Sequence, residues 1–196
     1  MKKSFLLPLV TILLAAAILL GLSFVLKGVT EANYQRVHLQ LMQTLLPGST
    51  EFTPVSYSGS DANIRSVHKG ETGFVIETVT YGYAGEITVL VGVAKDGRVT
   101  GLTVKDMEET LGLGSNALTD EGFLKQFLNT DGGIAIGVQA DAFSGATGES
   151  STETDTYVDG ISGATVTSKA IARCVNSAVA YVTGADVSSG ATSWGG

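Results

Sequence analysis

The sequence predicts an α+β domain carried on a single N-terminal transmembrane helix. Three observations lead there: an uncharged apolar run near the start, a series of β-branched and aromatic runs separated by turn signals over residues 73–105, and amphipathic helical periodicity near the C-terminus. A chain of 196 residues holds one anchor and one compact domain, because domains commonly take about 100–150 residues.

The anchor comes first. Residues 4–26 (SFLLPLVTILLAAAILLGLSFVL) carry no charge, and a helix rising about 1.5 Å per residue crosses the roughly 30 Å hydrocarbon core of a bilayer over that length. A cleaved signal peptide has a shorter apolar region, of about 7–15 residues, ending at a small-residue site. Here Ala15, Ala16 and Ala17 are followed by further apolar residues, so a retained anchor is expected over residues 1–27. Lys2 and Lys3 precede the run, which predicts a cytoplasmic N-terminus and an extracytoplasmic main domain; Lys27 weakens that bias without reversing it.

Residues 28–48 place Tyr34, Val37, Leu41 and Leu45 at helical spacing before Pro47 and Gly48, predicting an amphipathic linker helix. Residues 49–65 turn polar and read as a loop. Residues 73–83 and 86–94 have strand composition, and Lys95-Asp96-Gly97-Arg98 supplies an Asp-Gly hairpin turn into a third strand over 99–105, which together make an antiparallel β-meander. A glycine-punctuated loop follows from Met107 to Leu118. Thr119 or Asp120 then caps a short helix through Phe123, Phe127 and Leu128. One more strand is expected over 134–138 and an exposed loop over 140–157. The last helix begins near Thr167, carries Ile171, Val175, Val179 and Val182 on one face, and stops at Gly184. The compact domain is therefore expected over 49–184, with a mobile tail over 185–196.

Charge and cysteine content restrict the function. Of 12 basic residues Lys2, Lys3 and Lys27 lie at the apolar run, whereas all 19 acidic residues follow Thr30. An acidic outer domain repels phosphate backbones, which excludes nucleic acid as a partner. Cys174 is the single cysteine, so the chain alone builds neither an internal disulfide nor a cysteine-ligated iron-sulfur or zinc site. His38 and His68 have no ligand-type neighbours at metal spacing and read as surface residues; Cys174 reads as a packing residue. No metal site is expected.

Two stretches share Asp-x-x-Ser-Gly-Ala-Thr: Asp141-Ala-Phe-Ser-Gly-Ala-Thr147 and Asp159-Gly-Ile-Ser-Gly-Ala-Thr165. Gly148 and Glu149 follow the first. The second runs on through Thr167 into a helix, which sets a hydroxyl beside a first turn whose unpaired N–H groups and positive dipole end favour a phosphate. Gly163 and Ala164 remove side-chain bulk there, so a large planar ligand or a modifying enzyme can approach the backbone. These residue types suit a threonine that carries a phosphate ester.

Asp159-Gly-Ile-Ser-Gly-Ala-Thr165-Val-Thr resembles the recognition motif of the bacterial flavin transferase, which joins FMN to a threonine hydroxyl through its phosphate. The motif occurs in the FMN-binding domain shared by the G subunit of Rnf complexes and the C subunit of the sodium-pumping NADH:quinone oxidoreductase, Nqr. Those families also have one N-terminal anchor, a Gly-Tyr-x-Gly-x-Ile segment, matched by Gly82-Tyr83-Ala84-Gly85-Glu86-Ile87, and a Glu-Thr-Pro-Gly-Leu-Gly loop. The chain reads Glu109-Thr110-Leu111-Gly112-Leu113-Gly114 there, with Leu111 in place of the proline.

The resemblance implies FMN as cofactor, covalently held at Thr165, with Asp159, Ser162, Gly163, Ala164 and Thr167 around the attachment and Glu109, Thr110, Gly112, Leu113 and Gly114 near the flavin; the glycines leave backbone open to a ring. It implies no catalytic residue in the chain itself, which would act as an electron-transfer subunit of an ion-translocating ferredoxin:NAD oxidoreductase. Partners would be the other membrane subunits of an Rnf-type complex, a flavin transferase during maturation, and the lipid bilayer. The short chain favours the Rnf family over its longer Nqr relative. Alternatives are an anchored flavoprotein serving an extracellular acceptor, a component of Nqr like its C subunit, and a binding or sensory module without flavin.

Overall fold

The computed structural model describes residues 6–109, 114–132, 134–137 and 156–184. Helix α1 (Leu6–Leu45) is continuous across residues 27–28, where the sequence divides anchor from linker. Among the described residues no helix is long and apolar enough to cross a membrane; within the apolar run, the side chains described are those of residues 12–21. The chain separates into two units, with the division between Leu41 and Met42.

The second unit is built on a sheet of β1 (Thr53–Val55), β2 (Ile64–Lys69), β3 (Gly73–Tyr81), β4 (Glu86–Ala94) and β5 (Val99–Met107). Their spatial order is their chain order and every pair is antiparallel, so the expected meander is present. Gly97 at φ +91° turns β4 into β5, where Asp96 Oδ1 accepts from Arg98 N at 3.1 Å and Ala94 N donates to Arg98 O at 2.8 Å. Helices α2 (Gly114–Thr119) and α3 (Glu121–Lys125) follow, then β6 (Ile134–Gly137), β7 (Thr156–Asp159) and α4 (Thr165–Thr183). Asp120, rather than Thr119, caps α3 through its carboxylate to Phe123 N at 2.9 Å.

Alternate residues of β4, Ile87, Val89, Val91 and Val93, share one core with Ile171, Val175 and Val179 of α4. Period two in the strand thus meets the helical stripe read from the sequence. Phe127 is fully buried and meets Phe123 edge-to-face at 5.2 Å, fixing α3 to that core. The end of α1 lies on the opposite face of the sheet, where Thr100 Oγ1 donates to Leu45 O at 2.6 Å.

Four expectations are corrected. The stretch 49–65 is not all loop, for it contains β1 and the start of β2. A bulge between Ile64 and Ser66 lets Ile64 and Val67, three apart, both turn inward, which hides the alternation of a strand. The glycine-punctuated stretch after Met107 contains α2, whose Leu118 is buried; tertiary packing overrides three turn-forming residues there, Gly114, Ser115 and Asn116. The helix expected through Leu128 ends at Lys125, and turns continue to Asn129 in the left-handed region at φ 64°. Finally, Thr156 and Tyr157 belong to β7 rather than to a loop. That strand pairs with β6 in parallel, so the domain is not wholly antiparallel, and four residues are too few to show a period. The remaining expectations for 138–155 and for the tail at 185–196 lie outside the described residues.

Candidate functional site

The Ser-Gly-Ala-Thr segment forms a tight turn running directly into α4. Ala164 N donates to Ile161 O at 2.9 Å, and Gly163 takes φ +81°, the geometry of a type II turn with glycine third. Ser168, fully buried one turn into the helix, locks this turn: its Oγ donates to Ala164 O at 2.9 Å and accepts from Ile161 N at 3.2 Å. The helix starts at Thr165, two residues before the expected Thr167.

Ala164 is the N-cap and offers no side-chain acceptor to the first-turn N–H groups. These donors face whatever sits beside Thr165. Thr165 is half-buried, and among the described residues its hydroxyl has no hydrogen bond. Thr167 is fully buried and its Oγ1 lacks a partner. A buried hydroxyl without a partner costs about 1–3 kcal/mol, so one is expected in the working protein.

A second group of residues meets Thr167. Glu109, just beyond β5, accepts from Tyr83 N at 2.6 Å through Oε1, while its Oε2 is buried without a partner. Two glycines make room for this carboxylate. A Cβ on Gly82 would lie against Glu109 Oε1 and 2.5 Å from Ile87 Cδ1. A Cβ on Gly114 would collide with Glu109 Oε2 and stand 2.9 Å from Thr167 Oγ1. Both unpartnered oxygens therefore pack against Gly114, in the space that a side chain there would need. Glu109, Gly114 and Thr167, expected from sequence as cofactor residues, are thus brought together.

The other expected residues are placed differently. Gly163 and Ser162 are exposed on the outside of the turn, and Ala164 is buried at its base. Asp159 ends β7 with its side chain exposed, apart from the Glu109 group. Thr110, Gly112 and Leu113, with Leu111, lie outside the described residues, as does the upstream motif copy ending at Thr147. Sequence reasoning missed Gly82 and Tyr83 as the cradle of Glu109, and Ser168 as the lock of the turn. Ser168 carried a local signal, since it follows Thr-x-Thr directly, but Tyr83 and Glu109 are joined only by the fold.

Cys174 is fully buried on α4, and burial pushes its thiol up from 9.0 to about 11, with a hydrogen bond to Thr78 and the nearby Arg173 charge opposing the shift. The neutral thiol is the folded form. Its contribution to stability is complete below the unfolded value of 9.0 and is lost as pH rises through about 11. Alkylation of the native protein near pH 8 should be negligible and should become fast in denaturant, read by intact mass. Rapid native labelling would place Cys174 outside the core.

The profile of the FMN-binding domain matches residues 82–180, which span the Gly82–Tyr83 cradle, Glu109, the Ser-Gly-Ala-Thr turn and most of α4. The G subunit of a proton-translocating ferredoxin:NAD(+) oxidoreductase complex from Clostridium ljungdahlii is 27% identical over 89% of this chain and 87% of its own length. The G subunit of an ion-translocating oxidoreductase complex from Methanosarcina acetivorans is 33% identical over 73% of each chain. Among solved structures, the C subunit of a Na(+)-translocating NADH-quinone reductase from Parabacteroides distasonis superposes with a TM-score of 0.47 at 20% identity, covering 66% of this chain and 63% of that one. On the profile match and these two oxidoreductase-complex relatives, the chain belongs to the FMN-binding domain family, and its cofactor is FMN.

Proposed function

We propose that this chain is the FMN-carrying electron-transfer subunit of an Rnf-type, membrane-bound, ion-translocating ferredoxin:NAD oxidoreductase complex, with the flavin joined to Thr165 through a phosphodiester. The observation carrying this reading is the start of α4, where a threonine hydroxyl with no hydrogen bond among the described residues stands beside a helix N-terminus without a side-chain cap and the buried, unpartnered Thr167 Oγ1. Those residues fit the group. The first-turn N–H groups suit a phosphate, and the unpartnered Thr167 Oγ1 lies in that same turn.

Attachment uses Thr165 as nucleophile. Its Oγ1 would attack the flavin-side phosphorus of a flavin dinucleotide held by a transferase: the Thr O–P bond forms, the pyrophosphate P–O bond breaks, a nucleoside monophosphate leaves, and the hydroxyl proton is released. When bound, the flavin supplies the electron-accepting and electron-donating chemistry. The chain's own part is to carry and orient. Thr165 fixes one end of the group, Ser168 holds the turn, and Glu109, braced by Tyr83 N, sets a polar boundary between the two glycines.

The names of the relatives, each one member of a larger oxidoreductase complex, support a place beside other subunits of that kind. The uncharged run at residues 4–26, which α1 includes from Leu6 onward, supports a membrane anchor over 1–27, with the linker helix at 28–48 and the FMN-binding domain at 49–184 beyond it. By the lysines at positions 2 and 3 the domain lies outside the cytoplasm. A reporter fused after Trp194 is expected to be active only in the extracytoplasmic compartment; activity confined to the cytoplasm would reverse the assignment. The function itself is tested by the intact mass of full-length protein made with a flavin transferase: one FMN phosphodiester is expected, mapping to the Thr165 peptide. A colourless protein of unmodified mass, in cells where a known acceptor protein is flavinylated, would overturn it.

A further inference from the structure

Asp159, the first residue of the modification motif, is held from outside the motif. Its backbone N donates to Gln126 Oε1 at 2.9 Å, and its carbonyl oxygen accepts from Gln126 Nε2 at 3.4 Å. One side-chain amide thus meets both polar groups of one residue, as a neighbouring strand would. On its other edge Asp159 pairs with Gly137 of β6, so the glutamine supplies the partner that the two-stranded sheet lacks there.

Gln126 is well founded for this task. It is the C-cap of α3, and its N–H donates back to Phe123 O at 3.1 Å. Phe123 and Phe127, on either side of it in the chain, are both buried in the core. The Asp159 carboxylate, in contrast, is exposed and makes no hydrogen bond or ion pair among the described residues. An exposed glutamine held in two hydrogen bonds loses rotamer entropy, and here the bonds fix the backbone of a residue whose own side chain is left free to be read by another protein.

We infer that Gln126 is a positioning residue for flavin attachment, holding Asp159 so that the modifying transferase meets its carboxylate at a fixed place relative to Thr165. This rests on the proposed attachment at Thr165. Gln126 touches neither the acceptor oxygen nor the cofactor; it acts through Asp159. Two clamps then hold the motif, Gln126 at its first residue and Ser168 across its turn.

Steady-state flavin transfer to the full-length protein tests the inference, with a flavin transferase and flavin dinucleotide as reagents and this chain as the varied substrate. Gln126→Met keeps length and removes both hydrogen bonds; it is expected to raise KM for the chain roughly tenfold with kcat little changed, the size of effect expected when a hydrogen-bonded orientation is lost. Gln126→Glu keeps the acceptor for the shorter bond and should restore most of the wild-type KM. In an Asp159→Asn background, Gln126→Met should add little, because the two residues act as one unit. Equal KM for wild type and Gln126→Met overturns the inference. So does a full additional loss in the Asp159→Asn background, which would mark Gln126 as a general stabiliser. Should Gln126→Met unfold, Gln126→Ala, which also removes both hydrogen bonds, takes its place alone and in the Asp159→Asn background, with the same expected and overturning results. Failure of the wild type itself to gain flavin on Thr165 would instead remove the attachment reading, and this inference with it.

Discussion

Thr165→Val is expected to yield full-length, folded protein without covalent FMN. The exchange preserves shape and β-branching and removes the oxygen proposed to carry the phosphodiester. Thr165 is half-buried at the first position of α4, and its hydroxyl has no partner among the described residues. Stability should therefore change by no more than about 0.5 kcal/mol, as for substitutions that break no packing or hydrogen bond. Denaturing gels read for flavin fluorescence should lose all signal from this chain. Thr165→Ser, which keeps an oxygen at the same place, should retain labelling, and Thr147→Val should label as the wild type does. Flavin persisting in Thr165→Val, or found on the Thr147 peptide of the wild type, would move the attachment to the upstream copy.

Gly114→Val should have the next largest effect, and it separates the flavin environment from the attachment. A side chain there collides with the Glu109 carboxylate and crowds Thr167 Oγ1, so Glu109 must leave the cradle and give up its bond from Tyr83 N. Overpacking of this kind costs about 1–3 kcal/mol, seen as a lower midpoint in urea. Thr165 keeps its oxygen, so labelling should persist. The flavin potential should move by on the order of 30–60 mV, the equivalent of about one hydrogen bond's worth of differential interaction at one electron per 59 mV decade. Glu109→Gln, which keeps shape and drops the charge, should shift the potential without the loss of stability. A Gly114→Val protein with wild-type unfolding and wild-type potential would take the Glu109 cradle out of the flavin's surroundings.

The turn that leads into α4 was legible because it is local. Asp159 to Thr165 and the helix after them lie within a few turns of chain, and the apolar stripe of Ile171, Val175 and Val179 shows at helical spacing. The meander could be read for the same reason: β3, β4 and β5 are nine residues each and joined by short turns, one of them Asp-Gly. What escaped was short, irregular or distant. Strand β1 has three residues, β2 begins in a bulge, and β7 has four residues in a parallel pair whose partner lies 22 positions away, as the pairing of Ile134 with Thr156 sets it. The cradle of Glu109 joins residues separated by 26 positions through a backbone N–H, and Gln126 reaches Asp159 across 33. Backbone donors carry no residue identity, so neither contact leaves a trace in composition or period.

The site draws on four separate stretches of chain: the β3–β4 turn at Gly82 and Tyr83, Glu109 after β5, Gly114 at the head of α2, and the start of α4. None of these holds the arrangement by itself, since Glu109 depends on a hairpin made earlier and Thr167 reaches the common space only once α4 has settled on the sheet. Non-local contacts of this sort form late, after the entropy of closing long loops has been overcome. The setting of the cofactor is thereby tied to the history of the chain. A nascent or misassembled copy displays the threonine but not its setting, so a flavin joined there before folding would lack the surroundings that tune it.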